Sequence, residues 1–121
     1  MAKDLKGKKV AFLVADGVEQ VELDKPWEAV SEAGAQPELI SLSGGKIQAF
    51  NHWDRSEVKN ADVSLDDANA ADYDALVLPG GVINGDLVRA DKRAVAFTKT
   101  FVESGKPVAA ICHGLWVLAE A

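Results

Sequence analysis

The chain holds one cysteine, Cys112, followed directly by His113 and Gly114. Before it, residues 106–111 form a short apolar run opened by Gly105 and Pro107, which reads as a buried strand. After it, Leu115, Trp116, Val117 and Leu118 read as the start of a helix. A sulfur between strand and helix, with small residues at 110 and 114, fits a nucleophile elbow. Such a bend places the thiol at the positive end of a helix, which favours the thiolate. Free cysteines are often inert buried hydrophobes. The bend and the His-Gly pair point instead to a reactive one.

Other residues could complete that chemistry. Glu19 follows the first strand's loop and is expected beside Cys112. A carboxyl pressed against a thiolate keeps its own proton, because burial and like charge both raise its pKa. Glu22 is the rival, three residues further on and expected to point elsewhere. His113 either accepts the thiol proton or is structural, and its direct adjacency to Cys112 makes the first geometry awkward. The Gly81 and His113 amides could form an oxyanion hole, although Gly80-Gly81 also reads as a plain tight turn. His52, beside Trp53 in a polar stretch, reads as a surface residue. No dinucleotide fingerprint, P-loop or metal-ligand spacing is present, so neither cofactor nor metal is expected.

The elements that must position these groups alternate between strand and helix. Residues 8–15, 37–42 and 74–78 read as strands. Residues 19–33 read as a helix with Pro26 near its main start, and 91–104 as a second helix. Residues 47–50 and 61–65 read as half-exposed antiparallel strands around a loop at 51–60. This alternation predicts a mainly parallel sheet covered on both faces. Its sites belong at the carboxyl ends of strands, where residues 16–19, 79–85 and 112–113 fall.

The 121 residues suit one domain over 1–121, and a 48% hydrophobic content is that of a globular protein. A formal charge of -6 disfavours non-specific nucleic-acid binding. A lone cysteine, no signal peptide and no membrane-spanning run point to the cytoplasm. The last residues stop within an apolar helical pattern without a cap, so a C-terminal part is expected to be missing.

Ala110-Ile111-Cys112-His113-Gly114, Leu78-Pro79-Gly80-Gly81 and Val18-Glu19-Gln20-Val21-Glu22-Leu23 together resemble the PfpI intracellular cysteine protease family. Its superfamily includes protein deglycases, glyoxalases, stress-response proteins and chaperone-like members. The resemblance implies a flavodoxin-like three-layer α/β/α sandwich of the class I glutamine amidotransferase type. It places the nucleophile on Cys112, its histidine on His113, the carboxyl partner on Glu19 and the oxyanion-hole glycine on Gly81. In the proteases a glutamate from an adjacent subunit completes a triad, and that position falls on Asp86. Leu115 stands where many relatives carry proline. The implied substrates are small carbonyl compounds, glycated proteins or peptides, and the implied assembly is a homodimer or hexamer. A redox sensor or holdase with little turnover is the alternative. Glutaminase-type amide hydrolysis is a third reading, which needs a downstream His and Glu.

Overall fold

The computed structural model describes residues 4–121. Its elements run β1 (Lys9–Val14), β2 (Val18–Glu19), α1 (Gln20–Glu32), β3 (Gln36–Ser41), β4 (Lys46–Asn51), β5 (Asp54–Asn60), β6 (Val63–Ser64), β7 (Ala75–Leu78), α2 (Val82–Ala90), α3 (Lys92–Glu103), β8 (Val108–Ala110) and α4 (Leu115–Glu120). Among the described residues β6, β3, β1, β7 and β8 lie side by side in that order, every pair parallel. A smaller sheet holds β2, β4 and β5.

β1 lies at the centre, and its residues are divided between two cores. Val10, Phe12 and Val14 face a cluster with Leu23, Trp27 and Val30 of α1 and Ile47 and Ala49 of β4. Ala11 and Leu13, with Ala15 just past the strand, face a second cluster with Val88 of α2, Phe97 and Phe101 of α3 and Val117 of α4. The period-two alternation of a strand thus gives three layers. Such a sheet needs apolar residues on both faces, which is why β1 is a continuous apolar run.

Leaving aside the two-residue edge strand β6, the remaining parallel strands lie in a flavodoxin-like order. The chain steps outward from β1 to β3, then crosses back to β7 on the other side of β1. The crevice where β1 and β7 part is the topological switch point, the usual ligand site of such sheets.

Several local expectations need correction. Residues 61–65 pair through β6 in parallel with β3 (Ile40↔Val63), not as an antiparallel strand. The antiparallel partner of β4 is β5, inside the stretch read as loop. Residues 82–85, in the stretch 79–85 expected to be loop, already belong to α2. α1 is one helix with Pro26 inside it, although proline there removes a backbone donor. β8 is half-exposed rather than buried, and β7 is its one sheet neighbour among the described residues.

Candidate active site

Three loops meet at the carboxyl edge of the sheet. The first leaves β1 and enters α1, the second joins β7 to α2, and the third is the elbow after β8. The Ile111 N–H donates to the Leu78 carbonyl at 3.0 Å, and the Glu19 N–H donates to the Gly80 carbonyl at 3.2 Å. These bonds lace the three loops together.

Cys112 begins a single 3-10 turn that leads into α4. Its φ is +52°, in the left-handed region that side chains rarely adopt. The strained bend turns the thiol outward, and Cys112 is exposed. Its Sγ lies 3.3 Å from Nδ1 of His113. The two neighbours therefore touch, where sequence adjacency predicts divergence. The His113 ring meets Trp116 edge-on at 4.8 Å between centroids, which fixes the imidazole against α4.

The carboxyl brought to the Gly80 turn beside Cys112 is that of Glu22. A Cβ on Gly80 would collide with Oε1 of Glu22 and stand 3.0 Å from Cβ of Cys112. The acid and the cysteine thus flank the same glycine, and only the absence of a side chain there lets them approach. Burial holds the Glu22 pKa above the ordinary carboxyl value, and the Glu19 charge pushes it further; His113 and the Gly80 N–H oppose both in part. Its Oε1 is buried with no hydrogen-bond partner. A protonated carboxyl suits that position, because an orphaned charged oxygen is costly to bury.

Glu19, expected in that role, points to the hairpin between β4 and β5. Its carboxylate accepts the His52 N–H at 3.1 and 3.2 Å. The physical reason is register: α1 begins at Gln20, so Glu19 sits in β2, paired with Phe50. Glu22, within the first turn of α1, is the one turned inward. His52 is the surface residue expected, its side chain 84% exposed, and it also lines the cleft.

Gly81, with φ +101°, caps the start of α2. Gly85, one turn on, packs so closely on His113 that a Cβ would lie 2.6 Å from the His113 carbonyl oxygen. Asp86 follows on the outer side of α2, its carboxylate paired with Arg89. Within one chain it is therefore engaged by α2 itself. Asn84, unmarked by sequence reading, is 1% exposed. Its Oδ1 accepts the Ala15 N–H at 2.7 Å, and its Nδ2 donates to the carbonyls of Pro79 and Gly80 at 2.9 and 3.1 Å. One amide thus clamps the end of β1 to the turn carrying Gly80. The available signal was an asparagine three residues beyond Gly-Gly, which is a weak one.

The result is a cleft of about 410 Å³ with Cys112, His113, Glu19, Glu22 and Gly81 in its lining. Among the described residues no helix is long and apolar enough to cross a membrane, and no group of three or more His, Cys, Asp or Glu could hold a metal ion.

A profile of the DJ-1/PfpI family matches residues 8–121. The chain belongs to the DJ-1/PfpI family. It is 43% identical over 113 residues to "Putative cysteine protease YraA" of Bacillus subtilis, covering 93% of this chain and 64% of that protein. It is 41% identical to "Deglycase TK1284" of Thermococcus kodakarensis, covering 93% of this chain and 65% of the relative. It is 40% identical to "Protein/nucleic acid deglycase 2" of Escherichia coli, covering 94% and 64%. This DJ-1/PfpI chain therefore spans less than two thirds of the length of these relatives. Among solved structures, it resembles a two-domain protein of Anabaena variabilis with DJ-1/ThiJ/PfpI-like and ferritin-like domains. That likeness has a TM-score of 0.85 at 33% identity, over 93% of this chain and 32% of the other.

Proposed function

We propose that this chain carries the catalytic centre of a cysteine hydrolase acting on carbonyl or glycation adducts, in the manner of a deglycase, or on peptides. One observation carries the reading: a carboxyl of raised pKa and a strained, outward-facing cysteine share the space beside Gly80. On a peptide or amide the Cys112 thiolate adds to the carbonyl carbon, forming a C–S bond and an oxyanion that collapses as the bond to nitrogen breaks. On a glycation aminocarbinol the C–S bond directly replaces the bond to nitrogen. Glu22 gives its proton to the departing amine. Water then displaces the sulfur, and its spare proton returns to Glu22. Gly81 and His113 supply N–H donors to the developing oxyanion. Deglycases among the relatives support the substrate class. A peptidase would need Asp86 of the partner subunit to reach His113.

The test is turnover of methylglyoxal–amine adducts and fluorogenic peptides by purified protein. Cys112→Ala abolishes turnover, and Glu22→Gln lowers it about a hundredfold, the usual weight of a positioned acid. Full activity in Cys112→Ala would refute the reading. The exposure of Cys112 favours a second reading, a redox sensor. Mild peroxide would then leave a stable two-oxygen adduct on Cys112, with no turnover of either substrate.

A further inference from the structure

The β4–β5 hairpin reaches along the front of the cleft. Its tip residue His52 has φ +57°, a conformation uncommon for any residue but glycine. The Glu19 carboxylate holds that tip by accepting the His52 N–H, and the Glu19 side chain is only 15% exposed. Pairing of Val18 with Ala49 and Glu19 with Phe50 fixes the same strand to the loop after β1. The hairpin tip is thus fastened to one of the loops that build the site.

Just beyond the fastening stands Trp53, with 95% of its surface exposed, at the rim of the cleft. Phe50, Val21, Val82 and Ile83 add apolar surface to the same cleft that Trp53 and Cys112 line. Among the described residues the lining holds no lysine or arginine, so His52 and His113 are the only groups that could meet an anionic substituent with positive charge. At about 410 Å³ the cleft has room for much more than a two- or three-carbon carbonyl compound. A free indole on a braced tip is out of place on a surface that only meets water, but suited to a ligand's apolar face.

We propose that Trp53, in the cleft that Phe50 also lines, is a specificity-determining residue that seats an aromatic or branched apolar group attached to the reacting carbonyl. The proposal deepens the hydrolase reading and rests on Cys112 being its nucleophile. A bound substrate would stack that group on the indole while its carbonyl reaches the sulfur. A polar or anionic group in the same place would gain nothing from this apolar surface.

The test compares alkylation of Cys112 by N-phenyliodoacetamide and by iodoacetamide. Each rate is divided by that reagent's rate with glutathione. The quotient cancels the reactivity of the sulfur, since both reagents report on the same atom. We expect the wild-type protein to favour the phenyl reagent about tenfold, the effect of partly burying one ring. Trp53→Ala should bring the quotient near one, and Trp53→Phe should keep most of it. A quotient near one in the wild-type protein would overturn the proposal. So would a high quotient that Trp53→Ala leaves unchanged. Iodoacetamide labelling no faster than that of an ordinary thiol would defeat the hydrolase reading alone, because the quotient stays readable.

Discussion

The two ends of the parallel sheet use the same kinds of residue to opposite effect. At the amino end, Lys9 bridges Glu38 at 3.3 Å and lies 5.0 Å over the Tyr73 ring, while the Tyr73 hydroxyl donates to Glu38. Asp74 accepts the Lys9 N–H at 2.8 Å, and the Asp74 N–H returns a bond to the Lys9 carbonyl at 2.7 Å. These ionisable side chains have partners. At the carboxyl end, Glu22 keeps a buried oxygen without one, and Cys112 stands exposed on a strained residue. Satisfied groups hold strands in register. The orphaned Glu22 oxygen and the exposed thiol are the groups the proposed hydrolase would turn on a substrate, and Asn84 braces the turn of Gly80 beside them.

That contrast can be broken at its strongest support. Asn84→Ala would leave the Ala15 N–H and the carbonyls of Pro79 and Gly80 without their buried partner. We expect a loss of about 2–4 kcal/mol, from several orphaned polar groups at once. Denaturant unfolding of this variant with a midpoint equal to wild type would show that the clamp bears no weight. At the amino end, Tyr73→Phe removes one hydrogen bond, and about 1 kcal/mol should be lost. If the change slowed alkylation of Cys112, the two ends would not be separable.

The smallest effect concerns pH. The Glu22 pKa is higher in the folded chain than the ordinary 4.5. Protonated Glu22 therefore favours the fold at low pH, and that contribution fades as pH rises through the folded value. Glu22→Gln removes this dependence, so the variant should gain on wild type between pH 4 and pH 7. Parallel stability curves for the two proteins would remove Glu22 as the buried acid.

Much of this was legible in the chain because apolar runs bounded by turns need a buried parallel sheet. β1 and β7 are such runs, β3 shows a shorter one at Leu39-Ile40, and the elbow after β8 shows itself by Cys-His-Gly. Other parts were masked for physical reasons. β5 reads Asp-Arg-Ser-Glu-Val-Lys-Asn, with no apolar alternation, since its faces are largely exposed. α2 contains Asn84 and Gly85, poor helix formers, retained for a buried clamp and a close approach. Glu19 and Glu22 lie three residues apart, and which one turns inward depends on the residue at which α1 begins. A pattern cannot fix an element's first residue that closely. Asn84 was hidden because a buried amide looks like any polar loop residue.

The left-handed backbone at Cys112 has one further consequence. Glycine would occupy that position with less strain, so thermal robustness and reactivity pull in opposite directions at a single codon. A campaign that selects heat-resistant descendants of this chain, without also assaying chemistry, would be drawn toward discarding its only thiol.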